Sequence, residues 1–263
     1  RKPLGLPMVA GVDRMREPFR LPPVIGHRGG ACAAPENTLA AFRLAANQGA
    51  PWVELDVRLS ADGRCVVFHD ETLKRVCGRS DRIDETTVAV LQGLDIGSWF
   101  DPAFADQTIP TLEQALGTLA ELGLGAVIEI KPAPGAETRL TDGVLAALAG
   151  HWPAVVVSSF ETEVIAKLKQ MAPDVPRALN ARRISRALLN RAKKLDCISL
   201  HLRHDRLRGS GVARVKSRGL QLAVWSVESA GRADELWRWG VDSIITKSPD
   251  LILAAWRARE RAF

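Results

Sequence analysis

The chain has 263 residues, is 46% hydrophobic and 25% charged, and carries a formal net charge of +6. That length buries a full core, and no apolar run reaches the roughly 18 to 20 residues of a membrane-spanning helix, so stable membrane insertion is not expected. The positive balance suits anionic ligands, but the basic runs Arg177 to Arg218 and Arg257 to Arg261 carry no nucleic-acid motif and read as solvated helix faces.

Residues 1–22 read as an N-terminal extension outside the fold: basic, proline-containing, and without the continuous apolar segment of a secretory signal. The ordered chain begins with the apolar pair Val24-Ile25, which turns abruptly into Gly26-His27-Arg28-Gly29-Gly30. Pro35-Glu36-Asn37-Thr38 follows, with Thr38 as N-cap of a helix through Leu39, Phe42 and Ala45. In Trp52 to Leu59, Val53, Leu55 and Val57 alternate with Glu54, Asp56 and Arg58, so two carboxylates share one strand face about 7 Å apart. An Asp62-Gly63 turn leads to Cys65 to Asp70. The connection is too short for a parallel crossover, so this run is a hairpin arm rather than a separate stave.

From Glu71 to Pro110 no long amphipathic pattern appears, which predicts a functional insertion over the site's mouth. Regular alternation then resumes. Helices are predicted at 112–122, 137–148, 162–171, 185–194, 205–218, 230–239 and 249–259. Strands are predicted at 125–132, 155–160, 177–180, 197–201, 221–227 and 243–246. With the first two strands, that makes eight strands alternating with helices and predicts a single TIM-type (β/α)8 barrel over residues 23–263, with a small insertion (71–110) after the second strand. The competing open, doubly wound sheet lacks a GxGxxG or P-loop where a nucleotide would bind.

The barrel would bring together His27, Arg28, Glu54, Asp56, His69, Glu129 and Lys131 at its strand ends. Three converging carboxylates are costly unless a divalent cation sits among them, and an all-oxygen set favours Mg2+ or Ca2+ over zinc. Two histidines can divide base and acid work near neutral pH, and Arg28 and Lys131 supply fixed charge suited to phosphate. The four cysteines, Cys32, Cys65, Cys77 and Cys197, show no CxxC spacing, which argues against a zinc site and fits a reducing, cytoplasmic compartment.

His27-Arg28-Gly29, Pro35-Glu36-Asn37-Thr38, Glu54-Leu55-Asp56-Val57, His69-Asp70, Glu129-Ile130-Lys131, Ser159-Phe160 and Val224-Trp225-Ser226-Val227 occur in the order and spacing of the glycerophosphodiester phosphodiesterase family. The chain resembles this family from Val24 to about Ile252, and most of all its soluble bacterial members. The resemblance implies a TIM-barrel hydrolase acting on small-molecule glycerophosphodiesters and releasing sn-glycerol 3-phosphate. It implies catalysis by His27 and His69 and a divalent cation on Glu54, Asp56 and Glu129. It also implies phosphate contacts from Arg28 and Lys131, and Trp225 near the glycerol end. Glu36 and Asn37 match the loop motif and read as supports behind the metal ligands.

Three positions depart from the family pattern: Lys247 where Asp or Asn is more usual, Ser226 for Thr, and Glu228 for Asn. The alternatives are a lysophospholipase D-type activity, hinted at by Trp99, Phe100 and Phe104, and a non-catalytic phosphate-binding barrel. No nucleic-acid partner is expected, and the oligomeric state is left open.

Overall fold

In a computed structural model of the chain, residues 19–149 and 154–261 are described. Nine strands form one sheet: β1 (Val24–His27), β2 (Trp52–Leu59), β3 (Cys65–Val67), β4 (Gly125–Ile130), β5 (Val155–Ser159), β6 (Arg177–Ala181), β7 (Ser199–Arg203), β8 (Gln221–Trp225) and β9 (Ser243–Thr246). Eight of them are parallel, and β1 pairs with both β2 and β9, which closes the sheet into a barrel and excludes the open arrangement. The short β3 runs antiparallel to β2, with Val57 opposite Val67 and Leu59 opposite Cys65, as its short connection requires.

Ten helices accompany the strands: α1 (Leu39–Asn47), α2 (Lys74–Cys77), α3 (Val88–Gln92), α4 (Leu112–Glu121), α5 (Glu137–Ala147), α6 (Thr162–Met171), α7 (Arg186–Lys194), α8 (Gly209–Lys216), α9 (Ala230–Arg238) and α10 (Pro249–Glu260). Four of these starts, those of α1, α4, α7 and α9, carry a side-chain cap. The Thr38 hydroxyl accepts from the Ala41 N–H at 3.1 Å, Thr111 and Gln114 form a reciprocal capping box, and Ser185 caps α7. The helix expected from Asp205 begins only at Gly209. Residues 205–208 instead wrap the Arg232 guanidinium, which donates to the His204 and Leu207 carbonyls.

The alternation within each strand produces two apolar shells. Outward residues such as Val53, Leu55, Ile128 and Leu200 pack under helix residues such as Phe42, Leu116 and Leu168. Each such side chain, fully buried, contributes about 1.5–3 kcal/mol. Inward residues Ile25, Trp52, Val127, Val156, Ala178, Ala223 and Ile245 fill the barrel floor. Trp52 fits there because its register partner is Gly125, where an added Cβ would lie 2.2 Å from the indole.

Of the segment read as an N-terminal extension, residues 1–18 lie outside the described residues. Residues 19–22 join the floor: Leu21 is buried, its N–H donates to Gln221 Oε1 at 2.7 Å, and Phe19 meets the Trp52 ring edge-on.

The insertion has its own core of Leu73, Val76, Ile83, Leu91, Ile96 and Ile109, continuous with Val66 and Phe68. Its backbone is tied to the flank of the barrel by the Val67 N–H donating to the Pro110 carbonyl at 2.8 Å and the Ala61 N–H donating to the Thr86 carbonyl at 3.0 Å. The expectation that it covers the mouth is not met, because no residue from 71 to 110 lines the cavity there. Most of its apolar side chains are committed to its own core, and Phe100 contacts Trp99 and Phe104 outside the cavity.

Candidate active site

The C-terminal ends of the strands surround a cavity of about 370 Å³. Strand register assembles its acidic wall. His27 is the partner of Glu54 across β1 and β2, and Asp56 is the partner of Glu129 across β2 and β4. Because side chains alternate, Glu54 and Asp56 both face inward, as do Glu129 and Lys131. One oxygen from each of Glu54, Asp56 and Glu129 lies within 4.8 Å of the others.

The loop after β1 is folded back to support this wall. Arg28 and Asn37 both adopt positive φ (54° and 59°), a conformation that costs non-glycine residues of order 1–3 kcal/mol and persists only where contacts hold it. Those contacts are present. The Arg28 N–H donates to Glu54 Oε2 at 3.1 Å, and the Asn37 N–H donates to the Arg28 carbonyl at 3.0 Å. The Asn37 side-chain N–H donates to Asp56 Oδ2 at 2.8 Å while its side-chain carbonyl accepts from the Asp56 backbone N–H at 3.3 Å, fixing that residue through its carboxylate and its main chain. At Gly29, with φ of 87°, a Cβ would meet the Ala41 backbone at 2.6 Å, so only glycine fits.

The charge balance of the wall is incomplete. Glu54 and Asp56 are 4% and 1% exposed. Arg28 Nε stands 3.2 Å from Asp56, and Lys131 Nζ stands 2.5 Å from Glu129 and 3.5 Å from Asp56. Desolvation, then the neighbouring Asp56 and Glu129, pushes Glu54 well above the usual carboxylate range. Desolvation also raises Glu129 against the pull of Lys131. At Asp56 desolvation is outweighed by Arg28 and Lys131, which hold it low. Three carboxylates facing two cations leave an oxygen-donor set that a hard divalent cation fits.

Both histidines border this wall. Burial, reinforced by Arg28, lowers His27 to about 3, so its imidazole is neutral at working pH. Its Nε2 lies 3.7 Å from Glu54, and its buried Nδ1 has no hydrogen-bond partner. His69, also lowered by burial, lines the cavity and has Nδ1 2.5 Å from Asp70 Oδ1.

Glu36 lies behind the wall rather than in it. It accepts from Arg28 at 2.7 Å and from Arg75, on α2, at 2.6 and 3.1 Å. Arg75 also donates to Asp70 at 2.7 Å, joining the two histidine loops through one guanidinium. Nothing in the sequence singles out Arg75. Trp225 ends β8, lines the cavity and meets Phe160 edge-on, with ring centroids 6.0 Å apart.

The sequence reading also missed Ser158, Asn180 and His201, which line the cavity. A signal existed, since each is a polar residue at an inward strand position.

The chain matches the glycerophosphoryl diester phosphodiesterase family over residues 27–251. It is 32% identical to the glycerophosphodiester phosphodiesterase of Caldanaerobacter subterraneus over 88% of this chain and 96% of that one. It is 34% identical to the Bacillus subtilis protein YhdW over the same shares of the two chains. Among solved structures, an Oleispira antarctica phosphodiesterase in complex with the product sn-glycerol-3-phosphate superposes with a TM-score of 0.88 and 35% identity, covering 90% of this chain and 97% of that one. The chain belongs to this family of enzymes, and its fold is the TIM barrel of those relatives.

His201 carries a separate expectation. Fully enclosed in the barrel, it is lowered by desolvation to about 4, with Nε2 3.2 Å from Ser199 Oγ. The folded state therefore disfavours its protonation. Its contribution to stability is complete above about pH 6.5 and is lost as pH falls toward 4, at about 1.4 kcal/mol per pH unit. Melting temperatures of wild type and His201→Gln, measured from pH 8 to 5, should show a shallower acid decline in the variant. Equal slopes would refute this assignment.

Proposed function

We propose that the chain hydrolyses glycerophosphodiesters to sn-glycerol 3-phosphate and an alcohol, with a divalent cation, Mg2+ or Ca2+, held by Glu54, Asp56 and Glu129. The observation that carries the reading is the buried three-carboxylate wall flanked by Arg28, Lys131, His27 and His69 in one cavity. Family membership and the product bound to the Oleispira relative support the substrate class.

When bound, the cation supplies fixed positive charge that holds and polarises a phosphoryl oxygen. Arg28 and Lys131 orient the phosphate, and Trp225 packs against the glycerol. His27, neutral by burial, accepts a proton from the attacking water as its oxygen bonds to phosphorus. His69, steadied through Nδ1 by Asp70, gives a proton to the departing alcohol oxygen as the ester P–O bond breaks. The same pair serves if a glycerol hydroxyl attacks first and water then opens the cyclic phosphate.

Phe100 meets both Trp99 and Phe104 edge-on, and none of the three lines the cavity, so these aromatics lend the lysolipid alternative no support. The complete polar set argues against a non-catalytic barrel. No helix among the described residues is long and apolar enough to cross a membrane. The four cysteines are free thiols, as suits a reducing compartment, and we place the enzyme in the cytoplasm on that ground.

The test is release of sn-glycerol 3-phosphate, followed by a coupled dehydrogenase assay, with glycerophosphodiesters and Mg2+ or Ca2+. Failure to release it from any diester would refute the reading.

A further inference from the structure

The two halves of the cavity rim carry different charge. Every carboxylate that lines the cavity belongs to the wall on β2 and β4. On the β6 to β9 half, Arg182 and Lys247 line the same space, and among the described residues neither side chain has an ion-pair or hydrogen-bond partner. Their placement follows from strand parity. Ala178 lies in the barrel floor, and Asn180 and Arg182 rise above it on the same face; Lys247 rises above Ile245 in the same way. Lys247 is anchored through its backbone. Its N–H donates to Glu228 at 3.0 Å and its carbonyl accepts from the Cys32 N–H at 3.0 Å, so the acid beside it is engaged by the main chain and by Thr246.

A charge count shows what these two cations face. With a divalent cation bound, the three carboxylates, Arg28 and Lys131 sum to one positive charge, which the single negative charge of a phosphodiester neutralises. Arg182 and Lys247 then remain in excess. A quaternary ammonium on the alcohol would meet these two cations and no further carboxylate lining the cavity; the exposed Glu228, hydrogen-bonded only by neutral donors, offsets one of the two from outside the cavity. Aromatic faces offer it little, because Lys131 Nζ already sits 5.9 Å from the Phe160 ring centroid.

We propose that Arg182 and Lys247 select diesters whose alcohol bears its own negative charge, a phosphate monoester above all, over diesters of choline. This rests on the hydrolase reading above and names the substrate class of that site. Because Arg182 is exposed and Lys247 half-buried, screening limits the preference to about tenfold in kcat/KM at low salt. It is expressed mainly in KM, since the charge is felt in ground and transition states alike.

The test compares kcat/KM for glycerophosphoinositol 4-phosphate, glycerophosphoinositol and glycerophosphocholine, in wild type, Lys247→Gln, Arg182→Gln and the double variant. The two inositol diesters differ only in the added phosphate. Wild type should rank them in the order given. The ratio of the first to the second should fall toward one in the variants and as salt is raised. An unchanged ratio in the double variant, or choline turned over as well as the phosphorylated diester, would overturn the proposal while leaving the hydrolase reading intact. No turnover of any of the three would overturn both.

Discussion

Replacing His27 or His69 by Ala should lower kcat by about 10² to 10⁴-fold, the usual contribution of one positioned acid or base. The two residues reach the cavity from different segments. His27 ends β1 against Glu54, while His69 follows β3 and is braced by Asp70. In the proposed mechanism they act on opposite ends of one displacement, so the double variant should lose far less than the product of the single losses. Metal binding and folding should survive in both single variants, because neither imidazole supplies the carboxylate wall. Arg28→Ala should behave differently and raise KM as well, since in the proposed mechanism its guanidinium grips the phosphate before and during reaction. Steady-state kinetics on a glycerophosphodiester decide the matter. A His27→Ala enzyme with near-wild-type kcat would sink the proposed mechanism.

Chelation should abolish turnover, and returning Mg2+ or Ca2+ to the metal-free protein should raise its melting temperature. A ligand at a hundred times its Kd stabilises by about 2.7 kcal/mol, which is roughly 5–10 °C for a chain of this size. Glu54→Gln separates the effect from general instability. Burial and two acidic neighbours favour a protonated Glu54 when no cation is present, and Gln imitates that form. The variant should therefore melt close to metal-free wild type yet gain nothing from added cation. Scanning calorimetry with and without metal checks both halves. A full metal-induced shift in Glu54→Gln would remove this residue from the ligand set.

Much of the barrel was legible because parallel strands covered by helices leave strong local signals. Eight alternating units, capped helices and the short β2 to β3 turn all follow from periodicity and turn chemistry. The acidic wall was legible for the same reason, since Glu54 and Asp56 occupy inward positions two residues apart. What stayed hidden depends on distance in sequence. Arg75 reads as one more surface cation in a short helix, and its role arises only when Glu36 and Asp70 converge on it from two other segments. The position of the insertion was misjudged because length and lack of periodicity mark a segment as unusual without saying where it leans. The start of α8 was misjudged because helical propensity in residues 205–208 yields to carbonyl contacts with Arg232, contributed by a different helix.

The Arg75 bridge has a consequence for how such a protein can change over generations. The insertion carries its own apolar core, so its outward face can drift, lengthen or acquire new residues without disturbing the barrel. The point that must stay fixed is the guanidinium between Glu36 and Asp70, because it aligns the two loops that present His27 and His69. Swapping this segment between relatives is therefore a question of preserving one anchor. A transplant that keeps an arginine there should keep both loops aligned, and one that loses it must rebuild that alignment from other contacts.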